Sequence, residues 1–400
     1  MQMRSIDGID LKGKRVLIRV DFNVPLDDQG NILDDTRIRS VLPTLDYALD
    51  EGAKVIVASH LGRPKGQRVE KYSMTPCYRR LSRLLSKEVL MAPDCVGPEV
   101  EGIVQKMAEG DVVLLENLRF HKGETANDEA FARALAKLAD VYINDGFAVA
   151  HRVNASVVGI TRFVKDCGAG FLMKKELQAF SQVLENPARP LIAILGGAKI
   201  GDKVGAVSHL VDLADKVILG GAIAFTFHRA KGIDTGASWV EEGLIAEAKQ
   251  ILQKAQDRRV KLYLPVDCVL AQEKSPKAQT LLRPIQEIPN GWMALDIGPA
   301  SVTLFSEVLE DARTIVWNGP MGVYEMDPFS RGTFALVREV ASSYAFTVLG
   351  GGDLDVAVHR TGEADRISYI STGGGAFVEY LGGKTLPAVQ ALMECSNRQS

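Results

Sequence analysis

Glycine-rich turns and basic residues with recurring spacing carry the chemistry in this sequence. Every Gly-Gly pair lies beyond residue 190: Gly196-Gly197, Gly220-Gly221, Gly350–Gly352, Gly373–Gly375 and Gly382-Gly383. In Thr347-Val-Leu-Gly-Gly-Gly-Asp353 an apolar run passes straight into three glycines and a carboxylate. Such a turn lets backbone N–H groups approach phosphate oxygens, and a helix over Leu354–His359 would add the positive end of its dipole. The alternative use of such glycines is tight strand–helix packing. In Leu195-Gly-Gly-Ala-Lys199-Ile-Gly-Asp-Lys203 two lysines stand four apart at an expected helix start, where they would point the same way and supply charge to a phosphate. The spacing of Gly196 and Gly201 fits the P-loop pattern, but Asp202-Lys203 follows where that pattern needs Lys-Ser/Thr. Asp353 is placed to hold Mg²⁺ on nucleotide phosphates, or to cap a helix. Glu325 is placed to accept hydrogen bonds from ribose hydroxyls, or is a surface acid.

The other half of the chain has side chains where the second half has bare backbone. Its turns carry Asp21 and Asn23, His60 and Arg63, Arg119, and His151 with Arg152, and Arg37 opens the helix after the first strand. Each basic residue alone can be an ordinary surface or ion-pair residue. Together, at the ends of neighbouring strands, they would converge on a small molecule with several negative charges, because guanidinium groups grip phosphate and carboxylate bidentately. Asp21 and Asn23 would read its hydroxyls.

Short β-branched runs separated by segments of helical period must position these turns. Val16–Val20, Val55–Ala58, Val112–Leu115 and Val141–Ile143 read as strands, as do Leu191–Leu195, Val217–Leu219, Leu262–Leu264, Ala294–Ile297, Ile315–Trp317 and Thr347–Leu349. Asp128–Leu138 and Glu242–Ala255 read as helices between them. Alternation of this kind, with strands nearly all apolar, predicts parallel sheets covered on both faces, with ligands beyond the strands' carboxyl ends. Cys167-Gly-Ala-Gly170 reads as flexible punctuation before a helix over Phe171–Asn186, which Asn186-Pro187 and Arg189-Pro190 end. One α/β domain is therefore placed before that helix and one after it.

Composition narrows the function. Forty-seven basic against 50 acidic residues leave a net charge of −3, which gives no bulk attraction for nucleic acid, and no basic run or aromatic platform compensates. The longest stretch free of charged side chains, Val340–Gly352, is 13 residues, too short for a span of about 20. The first residues lack an apolar signal core, so a cytoplasmic protein is expected. The five cysteines, odd in number and never spaced as CxxC, suggest reduced thiols and neither a zinc site nor a disulfide framework. No GxGxxG is present, which disfavours a nicotinamide-dependent dehydrogenase.

Several of these segments together closely resemble the phosphoglycerate kinase family: Arg19-Val-Asp-Phe-Asn-Val-Pro25, Ser59-His-Leu-Gly-Arg-Pro64, Leu115-Glu-Asn-Leu-Arg-Phe120, Leu195-Gly-Gly-Ala-Lys199, Trp317-Asn-Gly-Pro-Met-Gly-Val323, Gly350–Asp353 and Ser371-Thr-Gly-Gly-Gly-Ala376. The likeness runs in order from about residue 5 to the end. It implies two doubly wound parallel-sheet (Rossmann-like) domains joined by a hinge helix: 1–171 with a returning segment 386–400, the helix 172–186, and 187–385. It implies a monomeric glycolytic enzyme that moves a phosphoryl group between 1,3-bisphosphoglycerate and ADP, giving 3-phosphoglycerate and MgATP. By likeness, Asp21, Phe22, Asn23, Arg37, His60, Leu61, Gly62, Arg63, Arg119, His151 and Arg152 hold the phosphoglycerate. Gly197, Lys199, Lys203, Asn318, Pro320, Glu325, Gly351, Gly352, Asp353 and Leu354 serve ADP or ATP, with Asp353 near Mg²⁺. Arg37, Lys199, Lys203 and the Gly352 amide would act on the transferring group.

The sequence departs from that pattern in places. Leu354 stands where the family usually has Thr or Ser, which would weaken phosphate grip by roughly 0.5–1.5 kcal/mol if one neutral hydrogen bond is lost. Ala222 replaces a third glycine, and Gly146–Asn154 differs around an intact His151-Arg152 pair. Leu354 motivates one rival, a catalytically inactive nucleotide- or anion-binding protein of the same fold. A two-lobed solute-binding protein is another, although it would normally carry a signal segment.

Overall fold

The apolar runs form strands buried along nearly their whole length, as a parallel sheet covered on both faces requires. The computed structural model describes residues 3–398; Met1, Gln2, Gln399 and Ser400, at the ends of the segments 1–171 and 386–400, lie outside the described residues. Contacts divide the chain into two units, Met1–Leu177 with Thr385–Ser400, and Gln178–Lys384.

The first unit holds six strands: β1 (Arg15–Arg19), β2 (Lys54–Ala58), β3 (Val89–Met91), β4 (Val112–Leu114), β5 (Val141–Asn144) and β6 (Asp166–Ala169). They pair in parallel in the order β3-β4-β2-β1-β5-β6. The chain leaves β1 to one side through β2 and crosses to the other at β5, so the switch point lies between β1 and β5. A crevice for ligand opens beyond their carboxyl ends, where Asp21–Asn23 and the 145–152 turn follow. Val16, Ile18, Val55, Val57, Val141 and Ile143 pack into a core with Ile38, Leu45 and Leu81.

Two features of this unit correct the sequence reading. Cys167-Gly-Ala-Gly170 is not flexible punctuation: its first three residues belong to edge strand β6 and are buried. Gly168 is there for close approach, because a Cβ would stand 2.7 Å from Ile9 Cδ1 and 3.3 Å from the Arg4 carbonyl oxygen. Nor are all five thiols reduced. Cys167 and Cys395 form a disulfide, with Cα atoms 6.1 Å apart and a sequence separation of 228, leaving Cys77, Cys95 and Cys268 free. Spacing could not reveal it, since the partners meet only because the helix Pro387–Asn397 packs on β6. Closing so long a loop constrains the unfolded chain, and Cys395→Ser is expected to lower stability by about 2–5 kcal/mol. Thiol titration of the denatured protein should find three thiols before reduction and five after; five before reduction would refute the link.

The helix Phe171–Leu184 ends two residues short of Asn186, and the division between units falls within it. Its first turn is tied to the first unit by Phe171 N–H donating to Thr44 Oγ1 at 2.9 Å and Met173 N–H to Asp145 Oδ1 at 3.0 Å. Further along, Phe180 packs edge-on against Phe377 and Tyr380.

The second unit contains β7 (Leu191–Leu195), β8 (Lys216–Leu219), β9 (Lys261–Tyr263), β10 (Asp267–Ala271), β11 (Leu281–Pro284), β12 (Met293–Ile297), β13 (Thr314–Asn318), β14 (Phe346–Gly350) and β15 (Tyr369–Ser371). Six form a parallel sheet in the order β15-β14-β13-β7-β8-β9. Its switch point lies between β7 and β13. The other three form an antiparallel sheet, β11-β10-β12, over Phe225, Cys268, Leu270, Ile285 and Ile288. Ala294–Ile297 therefore belongs to this small sheet and not to a parallel one; an apolar run of that length does not reveal its partner's direction.

Candidate active site

In the first unit the site grows from the end of β1. Asp21 is buried and forms an ion pair with Arg37 from the short helix Thr36–Arg39; its other oxygen lies 3.6 Å from His60 Nδ1. Burial works against the Asp21 carboxylate, but the charges of Arg37 and Arg19, with a hydrogen bond from the Asn23 N–H, oppose it, and the carboxyl stands below the usual carboxylate range. His60 is pushed well below the ordinary histidine value, first by burial and then by Arg19, Arg119 and Arg37, so the ring is neutral at pH 7. The two guanidiniums beside Asp21 therefore keep it ionised.

A lattice of hydrogen bonds fixes the neighbouring turns. The Asn23 N–H donates to Asp21 Oδ1 at 3.1 Å, and Asn23 Oδ1 accepts from the Gly62 N–H at 2.8 Å. Arg119 donates to the Gly62 carbonyl at 2.8 Å. Burial, with the charges of Arg19 and Arg152, pulls the Arg119 guanidinium down to about 10. Arg152 and Arg63 are exposed and His151 is half-buried.

Phe22 and Leu61 do not present side chains to a ligand. Both lie in the hydrophobic core, and the Phe22 N–H donates to Ser59 Oγ at 2.8 Å. With Gly62, whose N–H and carbonyl are both engaged, they brace the site. Sequence reasoning passed over Arg19, quoted only as part of a motif. It is 1% exposed, donates through Nε to Ser156 Oγ at 2.9 Å and to the Val20 carbonyl, and stands 3.3 Å from His60 Nδ1. Its place inside a strand reading as core hid it.

In the second unit the turns after β7 and β13 interlock. Gly196 N–H donates to the Asn318 carbonyl at 2.8 Å and Gly197 N–H to the Pro320 carbonyl at 2.7 Å. The two lysines do not share a helix face. The helix begins at Val204, and residues 199–203 form the turn before it. Lys203 folds back so that Nζ donates to the Gly196 carbonyl at 2.6 Å, whereas Lys199 is exposed. Burial brings the Lys203 ammonium down to about 8, with Asp353 and Asp202 opposing the shift.

The helix Gly352–Thr361 starts directly after β14, with no side chain capping it, so its first N–H groups are open to an acceptor. Gly351 must be glycine here: its φ is +108° and Asn318 Nδ2 stands 3.0 Å from where a Cβ would be. Asn318 is buried and spends its amide on the Gly350 carbonyl at 2.7 Å, bracing the turn. Beyond it is a cavity of about 410 Å³ lined by Gly197, Pro320, Glu325 and Asp353. Its apolar walls, Phe225, Trp239, Met293, Leu295, Met321 and Val323, come from separate segments including β12; Met321 and Val323 lie in the Trp317–Val323 motif, but nothing in the sequence marked any of the six as a cavity wall.

Leu354 is fully buried in the second unit's main core and does not line the cavity. The Leu354 side chain therefore serves packing, and phosphate grip is not expected to depend on it. Leu354→Thr should cost about 2–4 kcal/mol in urea unfolding, through lost packing and a buried hydroxyl. Nucleotide affinity should stay within twofold; tighter binding at unchanged stability would reverse this assignment.

Cationic side chains at one sheet's switch point, and glycine turns with a lysine beside an apolar cavity at the other's, define a nucleotide-dependent phosphotransferase with two α/β units. The family model described as Phosphoglycerate kinase matches residues 6–384. A phosphoglycerate kinase of Citrifermentans bemidjiense is 59% identical over 393 residues, 98% of either chain, and one of Geotalea uraniireducens is 60% identical over the same length and shares. The solved structure of phosphoglycerate kinase from Coxiella burnetii has a TM-score of 0.88 at 38% identity, covering 98% of this chain and 99% of its own. The chain belongs to the phosphoglycerate kinase family. It catalyses the glycolytic transfer of a phosphoryl group between 1,3-bisphosphoglycerate and ADP, giving 3-phosphoglycerate and ATP.

Proposed function

We propose that the first unit holds the phosphoglycerate and the second the nucleotide, each at its sheet's switch point. The observation that carries this is the clustering of Arg37 and His60 on the Asp21 carboxylate, with Arg19 against His60 and Arg119 on the adjacent Gly62 carbonyl. In this reading Arg37, Arg63, Arg119 and Arg152 grip phosphate and carboxylate, His151 assists, and Asp21, Asn23 and neutral His60 orient the hydroxyl-bearing carbons. On the other unit the cavity takes the base, Glu325 the ribose, and the amides of Gly352 and Asp353 the phosphates, with Lys199 reaching in from the surface.

The residues at Asp353 fit Mg²⁺: one exposed carboxylate beside open N–H groups is the sparse protein contribution this ion takes when phosphates supply the rest. The ion would neutralise nucleotide phosphate charge. Transfer itself needs alignment and charge stabilisation, with no general base, since the accepting oxygen is already ionised. Lys203 and Arg37 neutralise the equatorial oxygens of the moving group. Donor and acceptor held on different units require those units to bring them together and exclude water, with Phe171–Leu184 as the hinge. We place the enzyme in the cytoplasm as a monomer. No helix among the described residues is long and apolar enough to cross a membrane, and both disulfide sulfurs belong to residues at most 1% exposed, out of reach of soluble thiols.

Steady-state assay with 3-phosphoglycerate and MgATP tests the assignment. Arg37→Ala should lower kcat about 100-fold, the scale of one lost transition-state donor, with KM for 3-phosphoglycerate changing only a few-fold. A pure KM effect would remove Arg37 from the transition state.

A further inference from the structure

The loops leaving β3 and β4 meet at three side chains that phosphoryl transfer does not use. Asp94 and Cys95 follow β3, and His121 follows the turn Leu118–Phe120 after β4. Asp94 Oδ1 accepts from His121 Nε2 at 2.7 Å and from the Cys95 N–H at 2.7 Å. One donor atom from each of the three side chains lies within 4.8 Å of the other two. The Cys95 residue is fully buried, while the Asp94 and His121 side chains are 39% and 33% exposed. The group thus has a closed thiol end and an open carboxylate–imidazole end.

We propose that Asp94, Cys95 and His121 form a three-ligand site for a divalent ion of the zinc class, tying the β3 loop to the β4 loop. The donor set selects the ion. A thiol sulfur, an imidazole nitrogen and a carboxylate oxygen suit a borderline-soft cation, whereas Mg²⁺ takes oxygen alone. Tetrahedral zinc with bonds of about 2.0–2.3 Å sets its ligand atoms about 3.3–3.7 Å apart. The Asp94–His121 pair must therefore open by less than 1 Å. Water fills the fourth position from the exposed side.

The proton balance is simple. On binding, the Cys95 S–H bond breaks, its proton goes to solvent, and sulfur donates its electron pair to the metal. The Nε2–H bond of His121 also breaks, its proton leaving to solvent or, in the neutral ring, being replaced by one taken up at Nδ1, so that Nε2 donates its lone pair while Nδ1 carries the ring proton. Thiolate and carboxylate then match the ion's two positive charges. Arg68, bonded to the Pro93 carbonyl at 2.8 Å, and Glu124 are the other charges facing the group, and they are opposite in sign. The His121 ring is already oriented by stacking on Phe131, with centroids 5.2 Å apart.

Cobalt titration of the whole, unreduced, Mg²⁺-free protein tests this. One equivalent of Co²⁺ should produce a near-ultraviolet thiolate-to-metal band that Zn²⁺ abolishes on addition. Cys95→Ser should lose the band, His121→Ala should weaken Zn²⁺ binding at least tenfold, and Cys77→Ser should change neither. Circular dichroism verifies that each variant is folded; if Cys95→Ser does not fold, the His121→Ala titration decides. Absence of a saturating band, binding without thiolate absorption, a band that survives in Cys95→Ser, or unchanged affinity in His121→Ala would each overturn the site.

Discussion

Lys203→Ala lowers kcat by about 10²–10³-fold, the largest single effect expected in this protein. The ammonium sits where the turns after β7 and β13 interlock, donating to the Gly196 carbonyl at 2.6 Å, and Nζ would stand only 2.5 Å from a Cβ on Gly319. It is therefore preorganised: little rearrangement is needed to meet charge that develops on a phosphoryl group. The same burial predicts a pH signature. With its pKa brought down to about 8, the free enzyme's Lys203 loses its proton as pH rises through that value. kcat/KM should then fall tenfold per pH unit above about 8, because that parameter reports the free enzyme. Bound phosphates favour the charged form, so kcat should hold to higher pH. A profile of kcat/KM flat to pH 9.5, or kcat within threefold of wild type in Lys203→Ala, would show that the ammonium does not act on the moving group.

Arg19→Met destabilises the first unit by about 3–5 kcal/mol, the scale for removing one partner of a buried charged pair. Arg19 supports a chain of buried polar groups. Its Nε donates to Ser156 Oγ, and Ser156 Oγ donates to Glu124 Oε1 at 2.7 Å. Fully buried Glu124 also accepts from the Ser156 N–H at 2.9 Å. Without the guanidinium, Asp21 keeps Arg37 but loses a cation on its buried side, and the Val20 carbonyl and Ser156 Oγ each lose a donor. Urea unfolding measures the loss. Arg19→Lys should recover part of it, since charge returns without the fork. A loss under 1 kcal/mol for Arg19→Met would mean the network closes without Arg19. Because Asp21 and His60 depend on the same charge, KM for 3-phosphoglycerate should rise in parallel.

Much of the fold and part of the candidate site were legible because they are written locally. Leu191–Leu195 and Ile315–Trp317 are apolar at every position, and Val16–Val20 at every position but Arg19, which suits a sheet covered on both faces, as parallel sheets are. The turns that follow them carry their own chemistry: Asp21 and Asn23 after β1, Gly196 and Gly197 after β7, and Gly351 where the backbone must take a positive φ. Side-chain direction was not local. Whether Leu354 faced phosphate or core, and whether Lys199 and Lys203 pointed together, depended on how each turn packed against segments more than a hundred residues away. Phe22 and Asn318 were selected by position yet serve by bracing, for the same reason. The antiparallel sheet, the apolar walls it gives the cavity and the Cys167–Cys395 link arise from pairings between distant segments. The sequence by itself determined the strands, the turn chemistry and hence the reaction class. The tertiary structure decided which groups face the ligand, because burial and charge at each atom are sums over neighbours that chain order does not name.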